Sequence, residues 1–241
     1  MLGNMRASMK ANMNANFLNQ DCLGVVLAGG KSSRMGSNKA LLMRNSSSQY
    51  GQSSGSENML SYSKKLLKNI GINKVVVSGD INSGNTKNGD IGNGNTDIYV
   101  TDQFSELGPM GGIYSVIKKY QPKSLLILPV DLPLMTQQTL QQLKMKGELT
   151  QKACFFSDHF LPLYLPNNAF VEQFFTTNFA QYQQGHKSAV NEKGDNKKNG
   201  PSIRSLLAKV PHQALALKSP QCLFNSNTPE EWRQAQQRFN V

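Results

Sequence analysis

Cysteine is scarce in this 241-residue chain and comes in an odd number: Cys22, Cys154 and Cys222. Their wide spacing includes no Cys-x-x-Cys pair, which excludes a disulfide framework or a structural zinc site as the organising device. A reducing, cytoplasmic setting is the expectation that follows. Long apolar runs are missing as well. The longest stretch, residues 125–135, is cut by Pro129, Asp131 and Pro133, far short of the roughly 20 residues that cross a bilayer. Arg6 and Lys10 are followed by no apolar core, so the first segment does not read as a secretory signal. Acidic residues are few: 15 against 26 lysines and arginines, a formal charge of +11. The cations are spread in local pairs such as Lys64–Lys65, Lys118–Lys119 and Lys197–Lys198, with no zinc-finger, homeodomain or ribonucleoprotein motif. Charge alone confers no specificity, so the expectation is no nucleic-acid partner and no membrane. A basic enzyme that handles phosphorylated small molecules accounts for the excess equally well.

What is present begins at Gly24. Residues 1–21, rich in Met and Asn, read as a flexible tail, and residues 22–241 as one domain. Residues 24–28 are a short continuous apolar run of the kind buried on both faces of a parallel sheet. Further strands are expected at residues 74–78, 98–101 and 124–129, then 153–157, 160–165 and 221–224, with a turn at His159. Helical spacing marks residues 57–70, 110–120, 136–146, 168–177 and 202–210. Phe170, Phe174 and Phe175 then fall in the core. Thr228-Pro229-Glu230-Glu231 opens a last helix, with Thr at the N-cap, Pro at N1 and Glu at N3; Trp232 packs it down. Asn/Ser/Gly-rich stretches near 45–57 and 80–97 read as flexible insertions, and Lys187–Gly200 as a solvated loop. The alternation of strand and helix predicts an α/β fold: a doubly wound, mostly parallel sheet with helices on both faces.

Three loops carry chemistry. The first, Gly29-Gly30-Lys31-Ser32-Ser33-Arg34-Met35-Gly36, leaves the carboxyl end of the first strand, where open α/β sheets bind ligands. Gly29 and Gly30 let backbone N–H groups approach phosphate oxygens, Arg34 offers a planar fork of donors, and Lys39 a mobile point charge. It is neither a Walker A loop nor Gly-x-Gly-x-x-Gly. Asp131, set between Pro129 and Pro133 past the central strand, is suited to a hard cation such as Mg²⁺ that bridges substrate phosphates; a turn or capping aspartate is the alternative. Asp102, past another strand, is the second carboxylate of the crevice. Leu107-Gly108-Pro109-Met110-Gly111-Gly112 opens a helix whose N-terminus favours an anion or a base edge; close helix–sheet packing explains the glycines equally. His159, His186 and His212 stand alone, and no Ser-His-Asp or Cys-His arrangement occurs.

In order, Leu27-Ala28-Gly29-Gly30-x-x-x-Arg34-Met35-Gly36-x-x-Lys39 resembles the signature loop of small nucleotidyltransferases. From Gly24 to Trp232 the chain is similar to the molybdenum cofactor guanylyltransferases within that group. The supporting matches are Thr101-Asp102, Leu107-Gly108-Pro109-x-Gly111-Gly112, Pro129-Val130-Asp131-Leu132-Pro133, Ser202-Ile203-Arg204 and Phe224-Asn225-x-Asn227-Thr228-Pro229. The resemblance implies transfer of GMP from GTP to molybdenum-molybdopterin, with Mg²⁺ as cofactor and molybdoenzyme maturation proteins as candidate partners. It implies nucleotide contacts from the loop of Leu27, Ala28, Gly29 and Gly30, with Lys39 on the phosphates. Ser78, Asp102 and the Gly108–Pro109 helix start would also contact the nucleotide, and Asp131 would carry the metal. Arg34, Arg204, Asn225 and Asn227 would face the pterin phosphate, leaving Arg34, Lys39 and Asp131 as the catalytic set. Related cytidylyltransferases share the first loop and the central aspartate but carry aspartates at the positions of Asn225 and Asn227. Cytidylyl transfer and a non-catalytic cofactor carrier are the alternatives. Three departures stand out: Ser78 where some relatives have Asn, Asn38 where many have Asp, and Phe160 within the usual His-Pro pair.

Overall fold

Two neighbouring valines show how the apolar runs become a sheet covered on both sides. In the computed structural model, which describes residues 22–29, 35, 38–46, 55–79, 98–183 and 200–239, Val25 and Val26 are both fully buried in β1 (Cys22–Leu27). Successive strand side chains point to opposite faces, so Val26 enters one core and Val25 the other. The same alternation sends Leu126 and Leu128 of β6 (Ser124–Pro129) one way, and Leu125 and Ile127 the other. That is why these strands read as unbroken hydrophobic runs.

The sheet has seven strands in the order β5–β4–β1–β6–β8–β7–β9. β4 (Val75–Ser78) and β5 (Ile98–Val100) extend it on one side of β1, and β6 lies on the other, all four parallel. β8 (His159–Pro166) runs antiparallel to β6 and to β7 (Ala153–Phe156), and β9 (His212–Leu215) lies parallel to β7. On the face of Val26 pack helices α1 (Met59–Asn69) and α3 (Gln137–Thr150), with Trp232 of α6 (Pro229–Gln236). On the opposite face pack α2 (Pro109–Tyr120), α4 (Ala169–Gln183) and α5 (Ile203–Leu207). The fold is the doubly wound, mostly parallel α/β sheet expected. The direction of winding reverses between β1 and β6, which makes the crevice at their carboxyl ends the topological switch point. Among the described residues, no helix is long and apolar enough to cross a membrane.

Several local expectations are corrected. Residues 221–224 are not a strand: Pro220–Leu223 form a 3₁₀ turn, because proline at its first position presets a helical φ and has no N–H for a ladder. The last strand is instead β9, which buries only Leu215 fully and so shows no apolar alternation. The stretch near 45–57 is not wholly an irregular insertion, since its two ends belong to an antiparallel hairpin of β2 (Met43–Ser46) and β3 (Gly55–Asn58). Arg44 anchors the hairpin through Nε to the Pro133 carbonyl at 3.2 Å, with its guanidinium over the rings of Tyr62 and Phe239. The turn expected at His159 centres on Asp158, whose φ is +65°. Phe174 and Phe175 are buried, but Phe170, a turn earlier, is 52% exposed. Helix α3 continues past Lys146 through Gly147, where a Cβ would lie 2.0 Å from the Tyr164 ring; the glycine exists for that contact. The helix read at 202–210 shortens to α5, closed at its start by a Ser202–Ser205 capping box. All three cysteines are buried and free. The tail (1–21), the 80–97 stretch, most of Lys187–Gly200 and His186 lie outside the described residues.

Candidate functional site

The carboxyl ends of β1, β4 and β6 are stitched together by backbone bonds that leave a loop end pointing out of the sheet. Ala28 N–H donates to the Ser78 carbonyl at 2.8 Å, and Val130 N–H to the Leu27 carbonyl at 3.1 Å. Leu27 is thus buried floor, while Ala28 is half-buried and Gly29 exposed. Gly79 and Gly29 meet backbone to backbone: a Cβ on Gly79, whose φ is +155°, would lie 2.7 Å from Gly29 N. Gly30 and Arg34 lie outside the described residues; Met35 is buried in the α1-side core.

Lys39 opens a 3₁₀ turn, Lys39–Leu41, that Asn38 caps by accepting the Ala40 N–H at 3.0 Å. An amide oxygen serves that cap as well as a carboxylate would. The turn aims Lys39 across the crevice. Its Nζ lies 3.2 Å from Asp131 Oδ2 and 2.6 Å from Asn227 Oδ1. With the side chains only 15% and 21% exposed, this Lys39–Asp131 pair is largely withdrawn from water. Three sequence-predicted residues from three separate loops therefore meet at one point.

Two further residues secure that meeting. Ser226, 1% exposed, donates its N–H to the Asp131 carbonyl at 3.0 Å and ties the C-terminal segment to the turn after β6. Glu231 Oε2 accepts the N–H groups of Thr228 at 3.0 Å and Asn227 at 2.6 Å, so it fixes the backbone that presents the Asn227 amide. The capping motif is legible in the sequence as a helix start, but its second bond, to Asn227, is not. Ser226 had no signal beyond its place between two asparagines.

Ser78 is 2% exposed and faces Gly112 of α2, whose added Cβ would be 2.3 Å from Ser78 Oγ. A Cβ on Gly111 would reach 2.6 Å from Asp102 Oδ1 and 2.1 Å from the Phe104 carbonyl. Close helix–sheet packing thus explains Gly111 and Gly112. Asp102 is half-buried and accepts the Phe104 N–H at 3.1 Å. Gly108 caps α2 with φ +57° and ψ −135°, a conformation only glycine adopts readily, and Pro109 occupies the first helical position; both are exposed. Arg204 and Asn225 are exposed, Arg204 just beyond Gly200, which packs on Leu107. The structure brings neither into contact with Lys39. A cleft of about 480 Å³ lies beside β5 and α2, between Tyr99 and Lys119, and includes none of Lys39, Asp131 or Asn227.

As for a metal, the described residues contain no cluster of three or more His, Cys, Asp or Glu side chains. Asp131 Oδ2 and Asn227 Oδ1 nevertheless both face one positive group, the Lys39 ammonium. That pair of hard oxygens suits a cation such as Mg²⁺ or Mn²⁺, which keeps several waters and shares its coordination with phosphates.

The fold is similar to that of solved nucleotidyltransferases. A nucleotidyl transferase from Methanothermobacter thermautotroptrophicus superposes with a TM-score of 0.59 at 15% identity, covering 90% of this chain and 97% of that one. The 2-C-methyl-D-erythritol 4-phosphate cytidylyltransferase of Thermus thermophilus gives 0.54 at 10% identity, covering 90% and 98%. A manganese complex of a protein from Mycobacterium tuberculosis H37Rv gives 0.52 at 16% identity, covering 91% and 100%. Residues 24–197 match the MobA-like NTP transferase domain. The molybdenum cofactor guanylyltransferase of Xanthomonas euvesicatoria pv. vesicatoria (strain 85-10) is 31% identical over 214 residues, 87% of this chain and 91% of that protein. The chain belongs to the MobA-like NTP transferase family and is a nucleotidyltransferase.

Proposed function

We propose that the protein transfers GMP from GTP to the terminal phosphate of molybdenum-loaded molybdopterin, releasing pyrophosphate. The observation that carries this reading is the meeting of Lys39, Asp131 and Asn227 at the switch point, where the β1 loop, the β6 turn and the Asn-x-Asn-Thr-Pro segment converge. The guanylyl donor and the pterin acceptor are supported by the named relative and by the asparagines at 225 and 227.

An oxygen of the acceptor phosphate attacks the α-phosphorus of the nucleotide. A new P–O bond forms as the bond to the β-phosphate oxygen breaks, and the electron pair leaves with pyrophosphate. The acceptor phosphate is already ionised near pH 7, so the protein supplies no nucleophile. Asp131, with Asn227 beside it, is the site for Mg²⁺, which when bound neutralises charge on the phosphate oxygens. Ala28 and Gly29 line the phosphates with backbone, joined by Gly30. Lys39 moves from Asp131 onto the phosphates and, with Arg34, stabilises the charge that builds during transfer. Gly108, Pro109, Asp102 and the strand end at Ser78 bound the nucleoside side; Arg204 and Asn225 bind the pterin phosphate.

Pyrophosphate release by purified protein with Mg²⁺ and molybdenum-loaded molybdopterin, with GTP or CTP, tests the reading. Turnover with GTP alone supports it. Turnover with CTP alone replaces guanylyl by cytidylyl transfer, and binding of GTP without turnover points to a carrier. Asp131→Asn is expected to lower kcat by at least about a hundredfold. Near-normal turnover in that folded variant refutes the metal assignment.

A further inference from the structure

The Lys39 ammonium occupies the space between the two oxygens that suit a cation. It touches Asp131 Oδ2 at 3.2 Å and Asn227 Oδ1 at 2.6 Å, and both ionic side chains are mostly shielded from solvent. Asp131 is the carboxylate paired with this ammonium, and the described residues hold no group of three or more His, Cys, Asp or Glu side chains that could take the metal instead. A dication on the same carboxylate would lie within a few ångströms of the ammonium, and like charges repel strongly where water screens them little. A polyphosphate changes the balance. It offers Lys39 an alternative anionic partner and supplies the metal with its remaining oxygens.

We infer that Lys39 is an internal competitor for the divalent cation, so that Asp131 accepts metal only together with a nucleotide's phosphates, which draw Lys39 away. This rests on the proposed metal role of Asp131 but not on the identity of the base or of the acceptor. The consequence is coupled binding: bare metal binds weakly, bare nucleotide binds weakly, and each strengthens the other by the same factor. Asn38, capping the 3₁₀ turn, and Asn227, held by Glu231, keep the ammonium in place in the resting protein.

The test is Mn²⁺ binding without nucleotide, read by electron paramagnetic resonance of the free ion. Lys39→Met, and the milder Lys39→Gln, are expected to bind Mn²⁺ at least about tenfold more tightly than the wild type. Lys39→Arg, which keeps the charge, stays near wild type. The gain is lost in Lys39→Gln combined with Asp131→Asn. Lys152→Gln serves as the control for a general loss of charge, because exposed Lys152 precedes β7, two strands from β6 and at the end of the sheet away from the crevice. Thermal melts establish that each variant is folded. Unchanged or weaker Mn²⁺ binding in both neutral Lys39 variants overturns the inference, as does an equal gain in Lys152→Gln. A gain that survives Asp131→Asn overturns the metal position itself. No turnover with either GTP or CTP refutes the transfer reading and leaves the Mn²⁺ result to stand or fall separately.

Discussion

Replacing Glu231 with alanine removes one carboxylate oxygen that accepts two successive backbone N–H groups, from Asn227 at 2.6 Å and Thr228 at 3.0 Å. A buried hydrogen bond to a charged acceptor contributes roughly 1.5–3 kcal/mol, and a part-buried one less, about 1 kcal/mol, because water can replace it. Allowing for that replacement, the two together come to about 2 kcal/mol, close to the upper range for losing a helix cap. For a chain of this size that corresponds to a fall in melting temperature of roughly 4–8 °C. Glu231→Gln keeps the acceptor and the capping box, so it should lose less than half as much. The functional effect runs through Asn227, which presents its amide to Lys39. Glu231→Ala should therefore reduce kcat in the wild-type background and add little once Asn227 is already alanine. Melting curves and a double-mutant cycle on kcat check both halves. Refutation comes from an alanine variant that melts within about 1 °C of wild type, or from losses in kcat that are fully additive with Asn227→Ala.

Other expected outcomes rest on separate contacts. Gly112→Ala places a methyl 2.3 Å from Ser78 Oγ and should cost about 1–3 kcal/mol, much of it recovered with Ser78→Ala; denaturant titration of the single and double variants measures this. Arg44→Ala removes the bond to Pro133 and the contacts over Tyr62 and Phe239, so amide exchange in Met43–Ser46 and Gly55–Asn58 should accelerate and stability fall by about 1–2 kcal/mol. Burial pushes the Cys22 thiol up to about 11 and the Tyr164 hydroxyl up to about 12. Both groups hold their protons longer folded than unfolded. Stability is therefore full below pH 9 and declines as pH rises through 9 to 11, and native protein should react only slowly with thiol reagents at pH 8. Stability measured from pH 8 to 11 that stays flat contradicts this sign.

Local signals carried much of the architecture. A run such as Gly24–Ala28 needs only its own residues to announce a strand covered on both faces, and Thr228-Pro229-Glu230-Glu231 announces a helix start by its capping chemistry. The proline-flanked Asp131 after β6 was likewise visible, because turn chemistry is written in neighbouring residues. The hairpin of β2 and β3, the edge strand β9 and the 3₁₀ turn at Pro220–Leu223 were misread or missed for the converse reason. Their polar residues have no periodic pattern, and their pairing energy comes from partners elsewhere in the chain. The helix expected over 136–146 stops short of Gly147, whose place inside it is explained only by the Tyr164 ring packed against it.

The sequence by itself determined the class of sheet, where the helices start and the residue types available for phosphate and cation chemistry. Only the tertiary structure decided which of them act together. Lys39 lies 92 residues from Asp131 and 188 from Asn227, and their contact exists because β1 and β6 are neighbours at the switch point and Ser226 fastens the C-terminal segment to the Asp131 turn. Propensity and capping act over a few residues, whereas strand order is set by burying two cores at once. A site assembled from three distant loops is therefore fixed by packing.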